Sequence, residues 1–339
     1  MKRLIAASLL LLGLAGCGGS AQPYSTDFFA MDTFMSVKVL SKDGESLAQQ
    51  CESEINSLES VLSRTREDTD IAKLNAADGA EVTLSDEGAK LLSLALDLSA
   101  ATNGAYDPTV APLTDLWGIG TDHQKVPSQS EIDAALQTVG TAHVHENGDA
   151  VTLDSGSKID LGGIAKGYAA DLLRAQLEKE GVTSATLDLG GDVFVMGKKS
   201  DGSDWRIAVK DPSDTESYLG IVSASDVFIV TSGVYERYFE ENGVRYHHIL
   251  DPKTGCPAES GLVSVTVLCK NGAWADALST ACFVLGTDKA LALRDDLAAQ
   301  GVAFELVFVT DDGRVLYTGG LAAAFTPNEE SGYTYESLA

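Results

Sequence analysis

The strand-rich C-terminal half is the strongest constraint on how this chain can fold. From residue 185 onward, nine short segments have the alternation or apolar composition of β-strands: 185–189, 193–197, 205–210, 219–223, 226–231, 244–250, 262–268, 304–309 and 314–317. Two helical segments, near 274–285 and 288–299, interrupt them. Because helices and strands are mixed without strict alternation, the pattern favours an α+β fold over a doubly wound parallel sheet.

The preceding region has mainly helical spacing. Apolar residues in 46–63 recur every three or four positions and predict a helix with one buried face: Leu47, Cys51, Ile55, Leu58 and Leu62. A second long helix is predicted over 85–102, where Ser85 is a suitable N-cap and Asn103-Gly104 a suitable stop.

Other elements are predicted from turns and alternation. Residues 142–160 predict a β-hairpin that turns at Asn147-Gly148, and residues 27–40 predict a single strand. A helix is predicted from Tyr168 to Glu180.

The N-terminus has the features of a bacterial export signal. Lys2 and Arg3 precede an apolar run over 4–14, which is too short to span a bilayer, and Leu14-Ala15-Gly16-Cys17 follows. These features predict a lipoprotein signal peptide over 1–16 and a lipid on Cys17. Residues 17–26 are then expected to be a tether, and 27–339 one large domain or two intimately joined lobes. The expected location is the bacterial cell envelope, where a lipid anchor in the inner membrane would hold the protein at the membrane surface, facing the periplasm.

Charge and cysteine content limit the classes of partner. The formal net charge of −26 argues against nucleic acid as a partner and requires that any phosphate-bearing ligand be held by a local cation, backbone amides or a metal ion. Cys51, Cys256, Cys269 and Cys282 lack Cys-x-x-Cys spacing, so neither a zinc knuckle nor a thioredoxin-type motif is indicated.

The segment Asp160-Leu-Gly-Gly-Ile-Ala-Lys-Gly is a candidate phosphate site. Gly162 and Gly163 let the backbone approach a ligand, the following helix offers free amides, and Lys166 adds a positive charge. The alternative is a tight turn with a solvated lysine.

The segment Ala275-Asp-Ala-Leu-Ser-Thr-Ala is a candidate metal site. Asp276 and Thr280 are four residues apart, so on a helix they share a face and offer the hard oxygen ligands that Mg²⁺ takes. The alternative is that Asp276 is an ordinary helix N-cap.

The segment His247-His-Ile-Leu-Asp-Pro-Lys-Thr-Gly is a candidate source of a general base. A histidine beside a turn can accept a proton near neutral pH. The alternative is a strand that ends in an inert polar turn.

Seven motifs in order resemble the ApbE family, whose members are FAD:protein FMN transferases and often exported lipoproteins. The motifs are Met31-Asp-Thr, Gly104-Ala-Tyr-Asp-Pro-Thr, Asp160-Leu-Gly-Gly-Ile-Ala-Lys-Gly, Leu189-Gly-Gly-Asp, Thr231-Ser-Gly-x-Tyr-x-Arg, His247-His-Ile-Leu-Asp-Pro-Lys-Thr-Gly and Ala275-Asp-Ala-Leu-Ser-Thr-Ala. The resemblance implies a T-fold-related α+β fold that binds FAD in a cleft between two lobes. It also implies Mg²⁺-dependent transfer of FMN from FAD to a Thr or Ser hydroxyl of a target protein, with release of AMP.

The resemblance also assigns roles to particular residues. His248 would be the catalytic base, whereas His247 would be structural, and the metal ligands would be Asp276, Thr280 and the carbonyl of Gly163. Cofactor-binding roles would fall to Met31 and Tyr106 near the flavin, Asp107 near the nucleotide, Lys166 at the phosphates, and Gly162, Ser232, Gly233 and Asp251 elsewhere along the ligand.

Two alternative functions stay open at this point. A relative of this kind can split FAD to FMN and AMP with water as the acceptor, or it can bind flavin without turnover. Target proteins of the family are flavoprotein subunits with an Asp-x-x-Ser/Thr-Gly-Ala-Ser/Thr acceptor motif. The segment Asp251-Pro-Lys-Thr-Gly-Cys-Pro257 begins in the same way but ends in Pro257, which has no hydroxyl, so self-modification there is not expected.

Overall fold

The computed structural model describes residues 22–338, which contain eight α-helices and 17 β-strands. The helices are α1 (Gly44–Leu62), α2 (Asp70–Ala76), α3 (Asp86–Ala101), α4 (Ala111–Trp117), α5 (Gln129–Leu136), α6 (Ala165–Lys179), α7 (Gly272–Leu285) and α8 (Thr287–Ala299). The strands are β1 (Gln22–Ala30), β2 (Thr33–Ser41), β3 (Val82–Thr83), β4 (Val144–Asn147), β5 (Ala150–Leu153), β6 (Ser184–Leu189), β7 (Val193–Gly197), β8 (Trp205–Asp211), β9 (Asp214–Ala224), β10 (Val227–Gly233), β11 (Tyr238–Glu241), β12 (Val244–His247), β13 (Leu262–Cys269), β14 (Phe304–Thr310), β15 (Arg314–Thr318), β16 (Phe325–Pro327) and β17 (Thr334–Leu338).

A nine-stranded sheet organises the fold, in the order β1-β2-β6-β7-β10-β13-β14-β15-β17. Its neighbouring strands are antiparallel except for the β15–β17 pair. Smaller sheets have the orders β16-β9-β8, β3-β5-β4 and β11-β12. The α+β class predicted from the mixed pattern is confirmed.

The large sheet is buried between two layers at its centre. On one face, Val265 and Val267 of β13 belong to a core shared with helices α1, α6 and α7. On the other face, Leu268 packs in a second core with residues of β8, β9 and β16. Burial on both faces explains why seven of the eight residues of β13 are buried, including the polar residues Ser264 and Thr266.

The predicted single strand over 27–40 is wrong. Its place is taken by the hairpin of β1 and β2, which turns at Met31 and Asp32. Both turn residues have positive φ angles, 48° and 59°, as hairpin turns require. The strand pattern runs through the turn without glycine, so the local sequence gave no stop signal. Strand β1 also begins at Gln22, so residues 22–26 are not the tether that was predicted.

The predicted helices are confirmed, with one shift that affects the candidate site. The Ser85 side chain accepts a hydrogen bond from the Gly88 amide and caps α3 as expected. Helix α6 begins at Ala165, three residues before the predicted start, which places Lys166 in its first turn. Helix α4 was missed, although it carries a proline in its first turn.

Two further predictions concern strands, and one is confirmed while the other is only partly correct. The hairpin that turns at Asn147-Gly148 is present as β4 and β5. The strand predicted over 244–250 ends at His247. The four cysteines Cys51, Cys256, Cys269 and Cys282 are free thiols.

The signal peptide predicted over 1–16 and the lipidation site Cys17 lie outside the described residues. Among residues 22–338, none of the helices has the length and apolarity needed to cross a bilayer.

Helices α6 and α7 are in backbone contact, and this contact yields a stability prediction. A Cβ atom added to Gly167 would overlap the carbonyl oxygen of Gly272. Replacing a helical glycine by alanine gains about 1 kcal/mol, but forcing these backbones apart costs about 3 kcal/mol, the upper end of the usual overpacking range. We therefore expect Gly167→Ala to lower the free energy of unfolding in urea by ~2 kcal/mol.

The matched control is Ala175→Ser on the exposed face of α6. It should change the free energy of unfolding by about 0.5 kcal/mol or less, as a propensity difference alone would. A Gly167→Ala protein as stable as the unsubstituted chain would contradict the close helix crossing.

Candidate active site

The contact between α6 and α7 brings two of the sequence motifs together. A Cβ on Gly167 would lie 2.8 Å from the Cβ of Asp276. At this distance the Gly167 amide donates a 3.0 Å hydrogen bond to Oδ2 of Asp276. The carboxylate thus lies at the N-terminus of α6, where free amides and the helix dipole favour negative charge. Residues 109 positions apart in sequence form the centre of the site.

Asp276 is not the N-cap of its helix, so the alternative interpretation of this residue is wrong. Asn271 caps α7 by accepting a 2.9 Å hydrogen bond from the Trp274 amide. Asp276 lies in the next turn and is buried, with 4% of its surface exposed. Among the described residues, no N–H or O–H group donates to its Oδ1 atom. One carboxylate oxygen is therefore fixed by α6 and the other is left for a ligand.

The three predicted metal-binding residues lie together. Thr280 follows Asp276 by one helical turn, and a Cβ on Gly163 would lie 3.8 Å from the Thr280 hydroxyl oxygen. Ser232 lies at the end of β10. Its hydroxyl oxygen is 3.5 Å from the Thr280 hydroxyl oxygen and 2.7 Å from the Ser279 hydroxyl oxygen. Its neighbour Gly233 is buried at the end of the strand.

This donor set fits a hard cation better than a soft one. In residues 22–338, no group of three or more His, Cys, Asp or Glu side chains is arranged to hold a metal ion. A carboxylate, a hydroxyl and a backbone carbonyl are oxygen donors, and Mg²⁺ commonly combines one or two carboxylates with water and substrate phosphates. The residues present are therefore compatible with Mg²⁺ when a phosphate ligand completes the shell.

Tyr106 is packed directly against this donor set. Its ring atom Cε2 would lie 3.2 Å from a Cβ on Gly163, and the residue is 4% exposed. Its hydroxyl has no hydrogen-bond partner among the described residues. Burial, and then the carboxylates of Asp276, Asp160 and Asp107, raise its pKa well above the ordinary value. The hydroxyl is thus a neutral, buried donor, a group that is costly to leave unpaired and suited to a ligand oxygen.

Lys166 forms a buried ion pair that the sequence interpretation missed. Its ammonium lies 2.7 Å from Oδ2 of Asp192 and 3.8 Å from Oδ2 of Asp276. Burial alone would lower the pKa of Lys166, but the two carboxylates outweigh it and raise the pKa. Burial and the neighbouring Asp276 raise the pKa of Asp192, although Lys166 opposes this shift. The available signal was the Leu189-Gly-Gly-Asp motif, which contains Asp192 but to which no charged role was assigned.

The turn that contains Met31 lies beside this glycine turn. A Cβ on Gly190 would overlap the side chain of Thr33, the residue with which β2 begins. Gly190 itself has a φ of +73°, which favours glycine. The structure therefore brings Met31 to the same edge of the site as Asp192.

His248 is held in a defined tautomer by a backbone carbonyl. Its Nδ1 lies 3.2 Å from the carbonyl oxygen of Arg237, and its amide donates to the same oxygen at 3.0 Å. Because a carbonyl only accepts hydrogen bonds, Nδ1 carries the proton and Nε2 the free lone pair. The residue is exposed to solvent. His248 thus presents an unprotonated nitrogen at an accessible surface.

The electrostatic surroundings keep His248 neutral. Burial by the walls around the ring lowers its pKa to about 4, and the positive charges of Arg237 and Lys166 add to this effect. Because the charge of Lys166 reaches the ring, His248 lies near the donor set.

His247 has different surroundings. It is 8% exposed and meets the ring of Phe283 edge-on, with centroids 5.5 Å apart. Burial lowers its pKa as well. Its contacts are those of a core residue.

Asp251 and Asp107 are engaged in their own turns. Oδ1 of Asp251 accepts a 2.8 Å hydrogen bond from the Lys253 amide, and the turn is fixed to α4 by a 2.8 Å hydrogen bond from Trp117 Nε1 to the Gly255 carbonyl. Oδ1 of Asp107 accepts hydrogen bonds from the amide and hydroxyl of Thr109. These contacts explain the turns and do not test the predicted ligand roles. Gly162 is exposed, and its amide donates a hydrogen bond to Oδ1 of Asp160.

A neutral histidine near a carboxylate with a free oxygen and a paired lysine defines an enzyme-type site for proton transfer at a charged ligand. The ApbE family profile matches residues 31–304, and the chain therefore belongs to the ApbE family. A FAD:protein FMN transferase of Treponema pallidum is 35% identical over 336 residues, which cover 92% of each chain.

Solved structures agree with this assignment. The ApbE protein of Thermotoga maritima has a TM-score of 0.80 and 34% identity, and the match covers 91% of this chain and 98% of that one. The flavinyl transferase ApbE of Pseudomonas stutzeri, in its apo form, has a TM-score of 0.77 and 34% identity, with 91% and 95% covered.

The environment of His248 predicts an unusual titration. Protonation places a positive charge beside Arg237 and among protein atoms that displace water from the ring, so the ring should stay neutral down to about pH 4. Ring ¹⁵N chemical shifts measured against pH should give that midpoint, with the signal assigned by its loss in His248→Gln. A midpoint near 6.5, the ordinary value for histidine, would contradict the described surroundings.

The lowered pKa of His248 also makes the stability of the folded protein depend on pH. The unfolded chain protonates His248 near pH 6.5 and the folded chain only near pH 4. Its contribution to folding is therefore complete above pH 6.5 and is lost as the pH falls from there towards 4.

Proposed function

We propose that this chain transfers FMN from FAD to a Thr or Ser hydroxyl of a target protein and releases AMP. The observation that carries the proposal is the neutral His248, whose Nδ1 donates to the Arg237 carbonyl and whose Nε2 is free to accept a proton. Relatives in Treponema pallidum and Vibrio cholerae bear the name FAD:protein FMN transferase, which supports the proposal.

His248 supplies the base that this reaction needs. Its Nε2 takes the proton from the acceptor hydroxyl, whose oxygen attacks the phosphorus atom of the FMN half. The bond from that phosphorus to the bridging oxygen breaks, and AMP leaves with the electron pair. The Arg237 carbonyl holds the Nδ1 proton throughout and stabilises the imidazolium that forms.

The remaining residues bind and orient the pyrophosphate. The first turn of α6 offers amides, and Lys166 offers a positive charge beside them. Asp276, Thr280 and the Gly163 carbonyl would hold Mg²⁺, and the ion would neutralise charge on the pyrophosphate. Tyr106 offers its unpaired hydroxyl to an oxygen of the ligand.

We also propose which residues contact the flavin ring and the rest of FAD, and which kind of protein is the acceptor. Met31 at the edge of the site is proposed to contact the flavin ring, whereas Asp107, Gly162, Ser232 and Gly233 are proposed to line the rest of FAD. The acceptor is proposed to be a flavoprotein subunit with an Asp-x-x-Ser/Thr-Gly-Ala-Ser/Thr motif.

We also propose that the enzyme acts at the membrane surface of the cell envelope, facing the periplasm. Support comes from the lipoprotein-type sequence that ends at Cys17. Strand β1 begins at Gln22, and the five intervening steps of chain span at most ~18 Å. A lipid on Cys17 would therefore keep the catalytic domain close to the bilayer, where membrane-bound acceptors lie.

Incubation with FAD and Mg²⁺, with and without a protein domain carrying the acceptor motif, tests the proposal. Mass spectrometry should find FMN attached to the acceptor. His248→Ala should slow transfer by about 10²–10⁴-fold, as loss of a general base does, while FAD binding persists. His123→Ala, an exposed histidine outside the site, is the matched control and should transfer at the normal rate.

Other outcomes identify the alternatives. AMP formed equally without an acceptor would indicate a FAD pyrophosphatase, and FAD recovered intact would indicate a flavin-binding protein without turnover. Undiminished transfer by His248→Ala would contradict its role as the base.

A further inference from the structure

Three charged side chains meet at the centre of the site. The Lys166 ammonium lies 2.7 Å from Asp192 and 3.8 Å from Asp276. The side chains of Asp192 and Asp276 are 7% and 6% exposed, and that of Lys166 is 23% exposed. A cation of the protein itself thus already lies against the carboxylate that is proposed to bind metal.

We propose that Lys166 keeps the affinity of the FAD-free site for a divalent cation low, so that the cation and FAD bind together. This inference rests on the function proposed above and extends it to the coupling between the two ligands. It assigns Asp192 the role of a positioning residue that fixes the lysine.

Charge balance supports the inference. Of the three proposed metal ligands, only Asp276 is negatively charged, because Thr280 and the Gly163 carbonyl are neutral. An ammonium within a few ångströms of the same carboxylate repels an incoming divalent cation, and burial strengthens that repulsion. Site and cation therefore attract each other weakly before FAD arrives.

FAD changes this balance because its pyrophosphate carries two negative charges. These charges pair with the lysine and the divalent cation at once, so the repulsion between the two cations no longer dominates. If FAD strengthens cation binding, the cation must strengthen FAD binding by the same factor. The arrangement thereby discourages occupation of the site by a free cation without its substrate.

Asp192 sets how strongly Lys166 acts on Asp276. At 2.7 Å, the Asp192 carboxylate holds the ammonium to its own side and keeps it 3.8 Å from Asp276. Without that negative charge, Lys166 is free to pair fully with Asp276. Substitutions at the two positions should therefore have opposite effects on the binding of a cation.

Calorimetric titration of the FAD-free protein with Mg²⁺ alone tests the proposal. Lys166→Met removes the charge at similar length and should tighten Mg²⁺ binding by about tenfold or more. Lys166→Arg keeps the charge and should bind Mg²⁺ within about threefold of the unsubstituted protein. Asp192→Asn should weaken binding by about threefold or more. Adding FAD should tighten Mg²⁺ binding in the unsubstituted protein and do so less in Lys166→Met.

Mg²⁺ affinity that is unchanged or weaker in Lys166→Met would overturn the proposal, and so would unchanged or tighter binding in Asp192→Asn. If Lys166→Met fails to fold because Asp192 is left buried without a partner, Asp192→Asn decides the question. A lysine that served only to stabilise the fold would alter thermal melting and leave Mg²⁺ affinity unchanged in the folded variants. Because the titration contains no acceptor protein, its result is independent of whether transfer occurs.

Discussion

The backbones of α6 and α7 touch at Gly167 and Gly272, and the rest of the site depends on this contact. Because neither position carries a side chain, the Gly167 amide reaches Asp276 and fixes one oxygen of its carboxylate. The same geometry places Lys166, one residue earlier, beside the carboxylate. A bulkier residue at the crossing would separate the glycine segment from α7, and the donor set would no longer be assembled.

The site reconciles an acidic protein with an anionic substrate. The chain has a formal net charge of −26, which repels a dinucleotide at long range. The site counters this locally with Lys166, Arg237 and the first turn of α6. The two cations have a second effect, since they lower the pKa of His248 to about 4 in addition to the larger effect of burial. The features that attract phosphate thus also keep the base unprotonated.

Local patterns predicted the elements well where one residue type determines the outcome. Apolar spacing located α1, and Ser85 located the start of α3, because periodicity and capping act within a few residues. The spacing of Asp276 and Thr280 correctly placed both on one helix. It could not distinguish a ligand from an N-cap, since that depended on where α7 begins, and Asn271 determines this start.

The contacts that could not be predicted from the sequence are those between residues far apart in the chain. The pair of Lys166 and Asp192 joins residues 26 apart, and the hydrogen bond from Trp117 to Gly255 joins residues 138 apart. Neither has a local signature, because each depends on how separate elements pack. The Met31-Asp32 turn was missed for another reason. Positive φ angles are uncommon at residues other than glycine, so the residue types at these two positions did not indicate a turn.

We propose that the α6–α7 crossing assembles one oxygen-lined cation site that FAD completes. Anomalous X-ray diffraction from crystals of the full chain grown with FAD and Mn²⁺, a scatterer that takes similar oxygen ligands, tests it most directly. We expect one anomalous peak between Asp276, Thr280 and the Gly163 carbonyl, with the FAD pyrophosphate beside it. A peak elsewhere in the protein, or ordered FAD with no peak at these residues, would contradict this arrangement.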